Sequence, residues 1–407
     1  MGDENTGPGR YDEDKVENGR AYDGSDFKDA EPFEFEAAGQ KLRFSPSGKS
    51  RWDALSDLVD GATTSLDLCF YIFAKDDAGA RFRDRLVEAA RRGVKVTLIL
   101  DSFGAEADRD YLRPLEEAGG NILFAGRRKT HRYLIRNHQK IVIADKRKAI
   151  IGGFNIEDDY FAPPEKNGWN DLGMTLEGSA VEGLCDWFAK LKHWTQDDKP
   201  HFRDVRKTVR EWSWQEGDAC WLIGGPTNGL SSWARCMRDD LAHGKRLDLF
   251  MAYFSPSKKI LEQIGQISER GETRLLMAAK SDNAATLGAT RSLYHYLLDK
   301  GAKVWEFSPC KLHTKLVVLD DNVYIGSANF DMRSLYLNLE IMLKLTDARL
   351  ADRMREYIDH HIAASEPITP QKHDKRSTIW NRFRWNLGWI LVSVVDYTVT
   401  RRLNLGL

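Results

Sequence analysis

The 407-residue sequence predicts an α/β protein built from two similar α/β/α halves, related by a pseudo-twofold axis with one active site between them. Three observations carry that expectation. Apolar strand-like runs alternate with amphipathic helical stretches, the pattern of layered α/β folds. A short motif, His-x-Lys-x4-Asp, occurs twice beside an apolar run: His138, Lys140 and Asp145, then His313, Lys315 and Asp320. The surroundings repeat too, so the duplication covers a domain and not only a motif.

Residues 1–31 are polar, acidic and glycine-bearing, the composition of a disordered tail. A first domain is expected over 32–200, ordered from about Phe33. Trp52, Leu55, Leu58 and Val59 recur at helical spacing. Leu66 to Phe73 reads as a strand, and Phe82, Leu86 and Ala89 mark a helix that Arg92-Gly93 ends. Val94 to Leu100 is an apolar strand, Leu112 to Ala118 helical, and Asn121 to Phe124 strand again. A basic stretch follows at Arg127, Arg128, Lys129, His131, Arg132 and Arg136; it reads equally as a solvated loop or as an attractor of anionic groups.

The motif strands come next. Leu316 to Leu319 is apolar and bounded by Asp320, Asp321 and Asn322, so it reads as a buried strand ending in a turn. Side chains two apart on a strand share a face. His313 and Lys315 therefore point into one pocket, and Asp320 sits at the strand end. Each copy runs on to Gly-[Gly/Ser]-x-Asn: Gly152, Gly153 and Asn155, then Gly326, Ser327 and Asn329. The second closes on Asn338 and Glu340. In the first, a loop over 157–168 delivers Asn170 and Asp171, which makes Asp171 the counterpart of Glu340.

Val181 to Trp194 is a helix with core residues Trp187, Phe188, Leu191 and Trp194. Residues 201–218 are charged and read as an irregular connection. The second domain, 219–365, echoes the first: Leu247-Asp248-Leu249 matches Leu66-Asp67-Leu68, and Arg270-Gly271 matches Arg92-Gly93. Residues 366–407 differ. Lys372, Lys375, Arg376, Arg382 and Arg384 interleave with Trp380, Phe383, Trp385 and Trp389, and the apolar run from Leu387 stops at Asp396. A bilayer span needs roughly 20 apolar residues, so this tail reads as an interfacial membrane anchor. The competing reading is a helix packed on the protein's own core.

Composition narrows the function. Net charge is −1, so nothing global recruits nucleic acid. Five scattered cysteines with no C-x-x-C pair argue against a disulfide framework or zinc site and fit a reducing compartment. No apolar leader opens the sequence, so the expected place is the cytoplasmic side of the membrane, as a peripheral protein.

The paired motifs resemble those of the phospholipase D superfamily. Within it, five segments are similar to bacterial cardiolipin synthases: Ala89 to Gly104, Ile150 to Tyr160, Lys280 to Asn283, Leu297 to Phe307 and Gly326 to Glu340. The resemblance runs from about Phe33 to His361. It departs at Asn137-His138-Gln139-Lys140, where those synthases carry more basic residues. It implies two phospholipase D-like halves and a phosphatidyltransferase that moves a phosphatidyl group between phosphatidylglycerol molecules.

Chemistry is consistent with that implication. A neutral histidine is nucleophilic near pH 7 and can form a phospho-histidine. A second, protonated histidine can serve the leaving and entering alcohols. Lysines offset phosphate charge, so no metal or cofactor is called for. The resemblance implies His138 as nucleophile and His313 as acid/base; sequence symmetry alone does not choose. Lys140, Lys315, Asn155 and Asn329 would hold phosphate oxygens, with Ser327 as a turn and phosphate contact. Glu340 and Asp171 would each bind the far nitrogen of a histidine. Asp145 and Asp320 complete the motif set in a supporting role. A phospholipase D-type hydrolase is the alternative, and a nuclease a further one.

Overall fold

Residues 26–126, 136–197, 202–227, 229–281 and 283–390 are described by a computed structural model. The first half carries β1 (Phe33–Ala37), β2 (Gln40–Ser45), β3 (Ser65–Phe70), β4 (Lys95–Asp101), β5 (Asn121–Ala125), β6 (Ile141–Ala144), β7 (Lys148–Gly152), the short β8 (Trp169–Asn170) and β9 (Gly173–Glu177). The second carries β10 (Trp214–Glu216), β11 (Ala219–Gly224), β12 (Arg246–Met251), β13 (Phe254–Ser255), β14 (Glu272–Ala278), β15 (Lys303–Phe307), β16 (Lys311–Leu312), β17 (Lys315–Leu319), β18 (Asn322–Gly326), β19 (Phe330–Asp331), β20 (Glu340–Thr346) and β21 (Ser365–Ile368).

The first sheet has the order β1-β2-β9-β7-β6-β3-β4-β5 and the second β10-β11-β20-β18-β17-β12-β14-β15-β21. Their central six strands correspond one to one. In each, three parallel strands are followed by three antiparallel ones. The motif strands β6 and β17 lie in the middle and are buried along their whole length. That explains their uninterrupted apolar sequence: both faces are covered.

The two sheets face each other across a shared core that includes Leu176, Trp187, Trp221, Phe250 and Met354. Helices Ala180–Gln196 and Met354's own helix, Ala348–Ile362, contribute to this layer. Outer helices, such as Asp77–Arg91 through Phe82 and Leu86, cover the far faces. The two α/β/α halves expected from the repeat are therefore present, sharing their inner helical layer.

Three expectations change. Residues 26–31 do not belong with a disordered tail: Phe27 is buried against Phe307 and His361, and Asp29 accepts from Asn170 Nδ2 at 3.0 Å. Residues 201–218 are not irregular, because Phe202–Glu211 is a helix and Trp214–Glu216 a strand. Val209 and Trp212 are buried, and with Val205 they form the apolar stripe that the surrounding charges hid. The strand read as Leu66 to Phe73 ends at Phe70, where the chain turns toward the site. The basic residues 127–132 and the end of the apolar tail, 391–395, lie outside the described residues.

Candidate active site

The edges of the two halves are stitched together reciprocally. His138 N donates to Leu339 O, and Leu339 N donates to Arg136 O, both at 2.9 Å. On the other side β16 pairs with β8, and His313 N donates to Asn170 O at 2.8 Å. Each histidine-bearing segment is thus fastened to the carboxylate-bearing segment of the other half. This backbone pairing brings His138 to Glu340 and His313 to Asp171.

His138 Nδ1 lies 3.1 Å and 3.0 Å from the two Glu340 carboxylate oxygens. His313 Nδ1 lies 2.7 Å from Asp171 Oδ2. Both carboxylates are fully buried. A buried carboxylate on Nδ1 fixes the ring tautomer and leaves Nε2 for chemistry. The pairings expected for Glu340 and Asp171 are present, and each crosses between halves.

Lys140 Nζ donates to His138 O at 2.7 Å, and Lys315 Nζ to His313 O at 2.5 Å. Lys315 Nζ is also 3.0 Å from His313 Nδ1. Burial pulls the Lys140 ammonium down to about 7 and that of Lys315 to about 8. Burial, then the Lys315 charge, pulls His313 down to about 3. Burial also lowers His138, against the opposing pull of Glu340. Burial pushes Asp171 up, but its bond to His313 prevails and holds it below the usual carboxylate range.

The two asparagines differ. Asn155 Oδ1 accepts from Ile72 N at 3.1 Å, and its Nδ2 donates to the Tyr160 hydroxyl at 3.0 Å. Asn329 lines a cavity of about 460 Å3 together with His138, Tyr71, Tyr253 and Asn338.

One expected role is not supported. Ser327 is fully buried and donates to Glu340 Oε2 at 2.5 Å instead of meeting a phosphate. Asp145 and Asp320, counted with the catalytic set because they complete the motif, lie away from the histidines and hold the supporting place expected of them at the strand ends. Each follows its motif strand at positive φ and accepts backbone N–H bonds at the start of the neighbouring strand. Asp145 binds Thr63 N, Thr64 N and Ser65 N; Asp320 binds Lys245 N and Arg246 N. A strand advances roughly 3.3 Å per residue, so β6 and β17 set each aspartate more than about 10 Å along the chain direction from its histidine.

Three positions were missed. Tyr160 OH is 3.3 Å from His313 Nε2. Ser334 Oγ donates to Glu340 Oε1 at 2.9 Å. They occupy the same offset after Asn155 and Asn329, a repeat signal that was available. Arg51 is 1% exposed and donates to the carbonyls of Tyr160 and Trp169 at 2.8 Å each, and to that of Asp171. Nothing distinguishes it in its amphipathic helix.

The arrangement gathers two carboxylate-bound imidazoles and two buried lysines at the seam of the halves, groups able to serve a displacement at phosphorus. Known proteins share its sequence pattern and fold. The family described as "Cardiolipin synthase, PLD-like domain" matches residues 55–181 and 238–362. The major cardiolipin synthase of Bacillus subtilis is 27% identical over 365 residues, covering 86% of this chain and 74% of that protein. A cardiolipin synthase of Bacillus anthracis is 29% identical over 344 residues, covering 81% and 66%. The crystal structure of a phosphatidylserine synthase from Haemophilus influenzae shares the fold, with a TM-score of 0.68 at 12% identity over 97% of this chain and 99% of that one. The chain belongs to the cardiolipin synthase family of phospholipase D-like proteins.

Proposed function

We propose that the protein is a cardiolipin synthase-like phosphatidyltransferase that joins two phosphatidylglycerol molecules through a phospho-histidine. The observation that carries this reading is the crossed pair of carboxylate-bound histidines, each with a lysine two residues on.

His138 is the nucleophile. Its side chain is 14% exposed and lines the cavity, whereas that of His313 is 6% exposed. His138 Nε2 attacks phosphorus, the bond to the glycerol oxygen breaks, and His313 supplies that oxygen's proton. An acceptor hydroxyl then attacks the phospho-histidine and gives its proton to His313. The P–N bond breaks and His138 is restored. Burial and the Lys315 charge hold His313 neutral. An arriving phosphate anion counters the Lys315 charge and favours proton uptake there. Lys140, Lys315 and Asn329 stabilise the phosphate oxygens.

The product partner follows from the site and the relatives together. The substrate is an anionic phospholipid, and a membrane must deliver it. Helix Ile379–Trp389 offers the contact. Ile379 is 90% exposed and Trp380 74%, with Phe383, Leu387 and Ile390 also exposed. Arg382 and Arg384 lie among them. Gly388 and Trp385 of this helix sit against Ala285 and Gly288 of helix Ala284–Ser292, whose Thr286 lines the cavity. The helix that carries the exposed apolar side chains thus packs on an element of the cavity wall, which supports peripheral docking at the cytoplasmic membrane face. Among the described residues, no helix is long and apolar enough to cross a membrane.

The test is incubation of purified protein with phosphatidylglycerol vesicles in chelator, followed by lipid chromatography. Cardiolipin and glycerol in equal amounts support the transferase. Phosphatidic acid as the main product indicates a hydrolase instead.

A further inference from the structure

The cavity above His138 carries more positive charge than one phosphodiester requires. The reacting phosphate already has Lys140 and Lys315, both 2% exposed and fixed to the histidine carbonyls. Two further cations, Arg136 and Arg333, line the cavity together with His138. They come from opposite halves. Both charges act on the Tyr71 hydroxyl, and Arg136 hydrogen-bonds it. The Arg136 guanidinium also lies 3.5 Å from the centroid of the Phe103 ring.

Their backbones are held. Arg136 O accepts from Leu339 N at 2.9 Å, and Arg333 O from Leu337 N and Asn338 N at 2.8 Å each. One acid shares the cavity, Asp331. It accepts from Ser334 N at 2.8 Å as a helix cap, and burial raises its carboxyl to about 6. The remaining wall includes the polar groups of Asn283 and Thr286. A volume of about 460 Å3 lies within the ordinary range for ligand cavities, roughly 300–1,000 Å3.

We propose that this cavity is the acceptor subsite, in which Arg136 and Arg333 bind the phosphodiester of a second phosphatidylglycerol and present its free hydroxyl to phospho-His138. The proposal rests on the transferase reading and adds to it the recognition of the acceptor. Guanidinium groups suit this task because their planar fork matches two phosphate oxygens. The three-carbon glycerol then spans the reacting phosphorus and the second phosphate. A neutral alcohol has no group for the arginines and gains nothing from them.

The experiment lets two acceptors compete. Vesicles of phosphatidylglycerol in phosphatidylcholine are incubated with ethanol, and cardiolipin and phosphatidylethanol are quantified together. Loss of one arginine should lower the cardiolipin-to-phosphatidylethanol ratio by about tenfold, the size of one charge-assisted phosphate contact. The variants are Arg136→Gln and Arg333→Gln. Arg333→Lys, which keeps the charge, should recover part of the ratio and exclude a folding defect. An unchanged ratio, with both products normal or both reduced in proportion, overturns the acceptor assignment. If the unaltered protein forms phosphatidylethanol but no cardiolipin, the acceptor is not phosphatidylglycerol and the proposal fails while phosphatidyl transfer stands. If it forms neither lipid, both readings fail.

Discussion

His138 and His313 come from the same motif just before equivalent strands, yet their surroundings are opposite in kind. His138 rests on a carboxylate that two serine hydroxyls also grip, from Ser327 and Ser334. Its ring opens onto the cavity. His313 rests on Asp171, which accepts from Leu172 N at 2.8 Å. Gly153 stands where the second half has Ser327, and a Cβ there would lie 2.7 Å from Asp171 Oδ2. Tyr160 stands where the second half has Ser334, and it points its hydroxyl at His313 rather than at the acid. Tyr160 and Trp169 pack on the His313 ring at 5.0 Å and 5.4 Å between centroids. Duplication thus supplies two carboxylate-bound imidazoles, and divergence at two side chains gives them different surroundings, which the proposed mechanism uses. An open, anchored histidine suits a nucleophile; an enclosed one suits proton transfer away from water.

The comparison breaks most severely at the carboxylates. Glu340→Gln and Asp171→Asn should each lower kcat by roughly 10²–10⁴-fold, since each removes the anion that supports a histidinium or fixes its tautomer. Ser327→Ala should repeat the Glu340 effect at a few-fold, and no equivalent change exists on the Asp171 side. Steady-state transfer assays check both.

Tyr160→Phe sharpens it. The Asn155 amide donates to the Tyr160 oxygen, so the phenol proton is free to point at unprotonated His313 Nε2. That bond favours neutral imidazole, and its loss raises the His313 pKa. In the second step His313 takes the acceptor's proton and must be unprotonated, and the group is protonated below its pKa, so the acid limb of the kcat profile should move to higher pH in the variant. The alkaline side also carries loss of charge on Lys140 and Lys315 as pH rises through about 7 to 8, which the substitution does not touch. Coincident profiles would show that Tyr160 only packs.

The smallest effect is expected where the halves agree. Asp145→Asn and Asp320→Asn should leave kcat within a few-fold. Each removes a carboxylate acceptor of backbone N–H groups at a strand start and should destabilise by about 1–2 kcal/mol, read as a lower Tm.

The fold was legible because it is periodic. The apolar runs of β6 and β17 and their repeated flanks announce two equivalent sheets. The histidine–acid pairs were legible in part, since Glu340 and Asp171 follow the motifs at related positions. What motif reading could not show is contact across the chain. Ser327 looks like a phosphate ligand in Gly-Ser-x-Asn, and only the fold reveals that its hydroxyl turns back to Glu340. Asp145 and Asp320 share a motif with the histidines, yet the strand between them separates the two ends, and the supporting strand-end role was legible from that spacing. Tyr160 and Arg51 act through distant partners, His313 and the Asp171 carbonyl, which no local pattern encodes.

The central claim is that the two histidines are not interchangeable. Protein mixed with phosphatidylglycerol labelled in its phosphate, quenched within milliseconds in alkaline denaturant and mapped by mass spectrometry, tests it directly. The account predicts a phosphatidyl group on the peptide that contains His138, and none on the peptide that contains His313. Label on His313, or equally on both, would contradict it.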